Sequence, residues 1–186
     1  HRVAVDPAMA IYLDTRRSTR EKPNENFARE LLELYGLGEG NYSETDIQEA
    51  ARAFTGYRID NRTGELRRIR RRHDASEKTV LGVTGSLTAT EVVDAVLAQP
   101  ACAEWISRRF WIEFISPTPD VKVLKQWAQL LQQKDWSLRA LLRTTLLSEA
   151  FWSEQNHGSL VKSPVDLVVG TIRSLKLEKA PAGQVL

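Results

Sequence analysis

The feature that most constrains this fold is the spacing of apolar residues, which follows a helical period along most of the chain. Ile47, Ala50, Ala51 and Phe54 recur at positions i, i+3, i+4 and i+7, a spacing that places side chains on one face of an α-helix. The same period recurs within residues 24–35, 90–98, 101–115, 120–133, 138–145 and 164–175. The sequence therefore predicts an all-α fold, a mainly helical single domain over residues 1–186.

Two of these predicted helices have well-defined apolar stripes, which we expect to face the core. In the helix that begins near residue 24, the stripe consists of Phe27, Leu31, Leu34 and Tyr35. In the last helix, the stripe consists of Leu167, Val168, Thr171, Ile172 and Leu175. The residues that follow offer nothing to bury, so we predict a loose tail over residues 179–186.

The helical period breaks after Gly56, where the pattern becomes alternating. Tyr57 and Ile59 alternate with Arg58 and Asp60, residues 61–64 are turn formers, and residues 66–70 are suited to a returning strand. Alternation on both sides of a turn is typical of a hairpin. We predict one small antiparallel β-hairpin insert over residues 57–72.

Positive charge is concentrated in this predicted hairpin. The chain has a formal net charge of +2, but residues 58–72 hold seven arginines against Asp60 and Glu65, a net +5. Such a cluster favours an anionic partner, which can be phosphate, a nucleic acid, an anionic glycan or the acidic face of a partner protein. The alternative is a solvated hairpin whose arginines pair with acidic residues elsewhere. The candidate binding residues are Arg67, Arg68, Arg70 and Arg71.

A second group of polar residues is the motif N-E-N-x-A-R-E at residues 24–30. On a helix, Asn26 and Glu30 share a face, and Glu25 and Arg29 form an i,i+4 pair. Carboxylates one turn apart can bind a cation or divide the roles of acid and base, but they can equally be surface ion pairs. The candidate catalytic residues here are Glu25, Arg29 and Glu30, and the candidate binding residues are Asn24 and Asn26.

A third group follows the hairpin. Of the three histidines, His1 is terminal and His157 lies in a polar stretch, so His73 is the best candidate for a buried imidazole. The sequence contains no H-E-x-x-H, G-x-S-x-G or P-loop motif, and it predicts no metal site and no cofactor. His73 and Asp74 are further candidate catalytic residues, and Lys78 is a candidate binding residue.

Composition excludes several classes of protein. Cys102 is the only cysteine, which rules out an internal disulfide and a zinc-finger array. No apolar run approaches the roughly 20 residues that a membrane-spanning helix needs, so no membrane span is predicted. The sequence carries no signal for an oligomeric state.

Several segments together resemble a bacterial family catalogued as domain of unknown function 1800. They lie at residues 24–34, 37–38, 42–47, 51–57, 73–74, 78–82, 100–103, 148–152 and 162–165, in the order in which the family has them. The run at residues 6–14 is similar to a stretch well inside full-length members. The resemblance therefore implies that this chain is the C-terminal portion of a longer protein.

The resemblance implies a predominantly helical fold and, for many members, export to the periplasm or beyond. It supplies no established reaction. The N-E-N-x-A-R-E and H-D-x-x-x-K positions are complete here, whereas Tyr57 stands where the family pattern has Trp, and the return strand is unusually rich in arginine. These departures concern the surface and its partners more than the fold.

Two functions remain open at this point. The first is an extracytoplasmic helical module, uncharacterised in activity, that binds a partner protein or an anionic polymer through the arginine hairpin. The second is a hydrolase-like or metal-assisted enzyme built from the N-E-N-x-A-R-E helix and the His73–Asp74 loop. Nucleic acid is a less favoured partner because no predicted helix is basic and the hairpin has no aromatic residue besides Tyr57.

One geometric prediction links the two polar groups. Glu30 borders Leu31 and Leu34 on the predicted buried stripe, and a buried carboxylate must be paired because an unpaired charge costs several kcal/mol. We therefore expect Arg29 and Glu30 to be mostly buried and to share a polar network with His73 or Asp74.

Overall fold

The computed structural model describes residues 1–176, in which helices predominate. This confirms the mainly α fold class, and the predicted tail at residues 179–186 lies outside the described residues. The α-helices are α1 (Pro7–Tyr12), α2 (Asn26–Glu30), α3 (Glu44–Ala53), α4 (Ala89–Leu97), α5 (Pro100–Phe114), α6 (Val121–Gln133), α7 (Leu138–Leu147), α8 (Glu149–Trp152) and α9 (Pro164–Ser174).

Two antiparallel hairpins lie between α3 and α4. The first pairs β1 (Tyr57–Ile59) with β2 (Leu66–Arg68), as the sequence predicts, and a 3-10 turn over Arg70–Arg72 follows it. The second pairs β3 (Lys78–Val80) with β4 (Val83–Gly85) and was not predicted. Another 3-10 turn, Thr15–Arg17, contacts β1 from the N-terminal part of the chain.

Helix α3 lies at the centre of the first hydrophobic cluster. Ser43 and Asp46 form a reciprocal capping box at its start, which satisfies two of the free backbone donors of the first turn. Its predicted stripe is confirmed, because Ile47, Ala50, Ala51 and Phe54 are all completely buried. Phe54 packs edge to face on Phe27, with ring centroids 4.6 Å apart, so α3 is held firmly against α2.

The buried face predicted for the second helix is wrong in its second half. From Leu31 to Leu37, α2 continues as a π-helix, in which each turn holds more residues than in an α-helix. The core-facing positions after Phe27 therefore recur every five residues, so that Leu34 and Tyr35 are about half exposed (50% and 48%). The side chains buried in their place belong to Leu32 and Leu37.

A second hydrophobic cluster joins α5, α6 and α7. Trp111 of α5 packs on Trp127 of α6 with ring centroids 5.6 Å apart, and Leu131 and Leu141 are completely buried beside them. The partly buried Trp136 packs against both clusters. Among residues 1–176, no helix is long and apolar enough to cross a membrane.

The stripe predicted for the last helix is not buried. Leu167, Val168 and Leu175 of this region are 57%, 56% and 64% exposed, and α9 has no buried residue. The sequence correctly places its start at Ser163 and Pro164, where the Ser163 side chain accepts a hydrogen bond from the backbone N–H of Asp166. The amphipathic period is therefore real, but the described residues provide no surface that covers it.

Candidate functional site

The register of the first hairpin divides its arginines between two faces. Arg58 pairs with Arg67 across the strands, and Tyr57 pairs with Arg68. Tyr57 is buried (8% exposed) and anchors the hairpin to the first cluster, together with the partly buried Leu66. Because side chains alternate along a strand, Arg58 and Arg67 project on the face opposite to Tyr57.

One of the four predicted binding arginines is paired within the hairpin itself. A guanidinium nitrogen of Arg67 lies 3.2 Å from Glu65 and another lies 3.5 Å from Asp60. By contrast, Arg68, Arg70 and Arg71 are exposed, and no carboxylate of residues 1–176 lies within 4.0 Å of their guanidinium nitrogens. The structure thus separates Arg67 from the other three predicted binding residues.

Two further arginines, from a distant part of the sequence, lie beside Arg58. Arg16 and Arg17, in the turn beside β1, line a cleft of about 250 Å³ with Arg58 and Asn61. Arg17 lies 3.6 Å from Asp14, whereas Arg16 and Arg58 have no acidic neighbour within 4.0 Å in the described part of the chain. This pair is not evident from the sequence, because about 40 residues separate it from the hairpin; its only signal is two adjacent arginines in a polar loop.

His73 is buried, as the sequence predicts, at 9% exposure. Its Nδ1 lies 3.0 Å from the backbone oxygen of Thr55; a carbonyl only accepts, so Nδ1 carries the proton. Burial lowers the pKa of His73, and the nearby charges of Arg68 and Lys78 lower it further. The neutral ring therefore presents the lone pair of Nε2 as its second polar atom.

Asp74 is bound to the end of α3. The Nε of Arg52 donates to Oδ2 of Asp74 at 2.7 Å, and the same guanidinium binds both carboxylate oxygens of Glu49 at 2.7 and 2.8 Å. Burial acts to raise the pKa of Asp74, but the hydrogen bonds from Arg52 and Ser76 outweigh it and hold the pKa well below its usual value. Asp74 is therefore a charged anchor at neutral pH and a poor proton acceptor.

Lys78 is one of the largest completely buried side chains. Its Nζ donates to the backbone oxygens of Asp74 and Ser76, at 2.6 and 2.8 Å. Burial lowers the pKa of Lys78, because it disfavours the charged ammonium. These contacts close the loop over residues 73–78 on itself, so the observed role of Lys78 is to hold the backbone of this loop.

The predicted network between the N-E-N-x-A-R-E helix and His73 or Asp74 is wrong. Arg29 is 40% exposed at its side chain and binds Glu44 at 2.5 Å and Glu25 at 3.3 Å. Glu30 is only partly buried, and no hydrogen bond joins it to the His73–Asp74 loop in the described structure. The partner of Asp74 is Arg52, so the two polar groups form separate networks.

The asparagines of this motif organise the entry to α2. The backbone N–H of Asn24 donates to Oγ of Ser18, and Oδ1 of Asn24 accepts from the backbone N–H of Asn26. Both asparagines line an open surface cleft of about 660 Å³ with Glu25 and Arg29. Across residues 1–176, no group of three or more His, Cys, Asp or Glu side chains is arranged to hold a metal ion.

The comparison with protein families agrees with the segments described above. The family model described as "Protein of unknown function (DUF1800)" matches residues 1–185 of the chain. The chain belongs to the DUF1800 family. No curated protein and no solved structure matches it.

The DUF1800 description names no reaction, and a fold does not by itself specify a function. What the chain does therefore depends on its side chains and their chemistry. In this DUF1800 chain, the H-D-x-x-x-K segment forms a closed, hydrogen-bonded loop against α3, and the N-E-N-x-A-R-E segment forms a capped helix entry. The exposed guanidinium groups take part in neither of these two structural roles.

Proposed function

We propose that this chain is a binding module for an anionic polymer and that the contact is made by an arginine surface. We use the name arginine surface for two groups of arginines: Arg16, Arg17 and Arg58 around one cleft, and Arg68, Arg70 and Arg71 at and after the end of β2. The observation that carries the proposal is that five of these six guanidinium groups have no carboxylate within 4.0 Å among residues 1–176, Arg17 being the exception. Arginines that serve only as surface ion pairs would resemble Arg67, which has two acidic neighbours.

The hairpin also holds these charges in place. Tyr57 and Leu66 pack on the first cluster, and the backbone N–H of Gly56 donates to the oxygen of Ser18 at 2.9 Å. This hydrogen bond between Gly56 and Ser18 joins the hairpin to the segment that carries Arg16 and Arg17. Cations carried on an anchored backbone bind a polyanion with a smaller loss of conformational entropy than cations on a mobile loop.

The chemistry of this surface favours a saccharide polymer with sulfate or phosphate groups over a nucleic acid. Proteins that bind single-stranded nucleic acids stack bases on exposed aromatic rings. The aromatic residue of the hairpin, Tyr57, is only 8% exposed, so its ring is not free for stacking. An extracytoplasmic location, which we propose on the family resemblance alone, would give the module access to anionic surface polymers.

The test is retention on heparin-agarose, with elution by a NaCl gradient. We expect Arg68→Gln, Arg70→Gln and Arg71→Gln together to shift elution to clearly lower salt, because each lost phosphate or sulfate contact reduces the number of released counterions. The matched control is Arg108→Gln, Arg139→Gln and Arg143→Gln, which removes the same charge from exposed positions on α5 and α7. Equal shifts for the two triple variants would show that retention follows net charge alone and would contradict the proposal.

A further inference from the structure

A small cleft lies where the first hairpin meets the start of α4. It has a volume of about 190 Å³ and is lined by Arg68, Arg70, His73, Ala75, Ser86 and Thr88. Arg68 ends β2, Arg70 begins the following turn, and Ser86 and Thr88 immediately precede α4. Three different segments thus place polar side chains around one concave space.

The hydrogen-bond partners around the cleft show which of these groups are free. The Thr88 hydroxyl donates to the carboxylate of Glu91, within the capping box of α4. For the Ser86 hydroxyl and for Nε2 of His73, no hydrogen-bond partner lies among residues 1–176. The guanidinium groups of Arg68 and Arg70 are not neutralised by a carboxylate within 4.0 Å in that part of the chain. Four polar groups therefore remain available, and three of them are donors.

We propose that this cleft binds one tetrahedral oxyanion, the sulfate or phosphate group of an anionic saccharide. The proposal rests on the proposed function and makes it specific, because it assigns one point of the arginine surface to a single bound group. Arg68 and Arg70 supply charge-assisted hydrogen bonds of the kind that suits sulfate and phosphate oxygens. Ser86 supplies a neutral donor, and the first turn of α4 adds a favourable dipole.

His73 makes this binding depend on pH. Its Nδ1–H is already donated to Thr55, so Nε2 can donate to an oxyanion only after it takes up a proton. The charged groups around the ring are Arg68 on β2, Arg70 in the turn, Lys78 on β3 and Asp74 next to it, with Glu91 of α4 near Arg68. The cations oppose protonation in the free protein, and a bound dianion offsets them, so binding and proton uptake favour each other.

The experiment titrates the full chain with sodium sulfate at constant ionic strength set by NaCl and follows the His73 ring and the Ser86 amide by NMR. We expect saturable shifts for sulfate that chloride does not produce. Affinity should rise as the pH falls from 7.5 to 5.5, because sulfate does not titrate in this range and the bound dianion favours the protonated ring of His73. Shifts that depend only on ionic strength, or an affinity that does not change with pH, would overturn the proposal.

Variants localise the site. Arg70→Gln and Ser86→Ala are surface changes, and we expect each to weaken sulfate binding, about tenfold for the charged donor. Arg67→Gln is the matched control, because Arg67 is an arginine of the same hairpin that lies outside the cleft, and its sulfate affinity should be unchanged. If Arg67→Gln weakened binding as much as Arg70→Gln does, the cleft would not be the site.

The same titration separates this inference from the proposed function. If sulfate failed to bind in the cleft while heparin retention still depended on Arg68, Arg70 and Arg71, the cleft proposal would fail and the arginine surface would stand. If the cleft bound sulfate but heparin retention were insensitive to these arginines, the polymer proposal would fail alone. Titration with a sulfated and with a phosphorylated monosaccharide then shows which of the two groups the cleft prefers.

Discussion

The Nε of Arg52 donates a hydrogen bond of 2.7 Å to Oδ2 of Asp74. These side chains are 26% and 16% exposed, so the pair is shielded enough from water to matter for stability. The other guanidinium nitrogens of Arg52 bind Glu49 and Ser76. A single side chain at the end of α3 therefore fixes the loop that carries His73 into the cleft.

We expect Arg52→Gln to lower the free energy of unfolding by about 2 kcal/mol, because it removes hydrogen bonds between partly buried charged groups. Urea denaturation measures this change. Arg67→Gln breaks ion pairs whose arginine is 55% exposed, and we expect it to change stability by less than about 0.5 kcal/mol. Similar losses for the two variants would mean that the Arg52 network contributes no more than a surface ion pair.

The low pKa of Asp74 predicts a loss of stability in acid. Folding lowers this pKa below the unfolded value of about 4, so the folded protein binds fewer protons in that window. The contribution of Asp74 to the free energy of unfolding is complete above pH 5, and it is lost as the pH falls through 4 toward the folded pKa.

In Asp74→Asn this contribution is absent at every pH. We expect the variant to be less stable than the parent at pH 6 by about 2 kcal/mol, and the difference to shrink steadily by pH 2. Urea midpoints of the two proteins from pH 6 to pH 2 measure it. A difference that stayed constant across this range would show that the carboxylate is not the group that titrates.

The sequence predicts best where one local pattern decides the structure. The start of α3 follows from the capping box between Ser43 and Asp46, which are three residues apart. The hairpin at residues 57–72 follows from alternation on both sides of a turn. Each of these elements is specified by a short, continuous run of residues.

Prediction fails where the local residue pattern does not decide the structure. The π-helix after Glu30 changes which residues face the core, and periodicity at 3.6 residues per turn has no means of signalling that shift. The partner of Asp74 is 22 residues away, and the choice of Arg52 over Arg29 depends on how α3 packs. Arg16 reaches the arginine surface for the same reason, through a turn that only the fold brings to β1.

The exposed face of α9 leads to a prediction about the origin of stability. We expect Leu167→Ser with Val168→Ser to change the free energy of unfolding by less than about 1 kcal/mol, because both side chains are more than half exposed. Leu141→Ala removes a completely buried side chain of α7 and should cost about 3 kcal/mol. Urea denaturation compares the two, and a large loss in the α9 variant would show that this face is covered in solution.

Gly56 and Gly64 both have positive φ angles, +82° and +73°, but only Gly56 is also crowded. A Cβ on Gly56 would lie 2.7 Å from the backbone nitrogen of His73, whereas a Cβ on Gly64 would meet nothing within 4 Å.

Gly64→Ala should therefore cost only the strain of the left-handed conformation, about 1 to 2 kcal/mol. Gly56→Ala should cost about 3 kcal/mol or more, because backbone atoms cannot move aside as a side chain does. It should also push His73 away from Thr55, so that the backbone N–H of Asp74, which donates to Oγ1 of Thr55 at 2.8 Å, exchanges faster with deuterium. Equal costs for the two substitutions, or unchanged exchange at Asp74, would show that the hairpin is not locked to the His73 loop at this point.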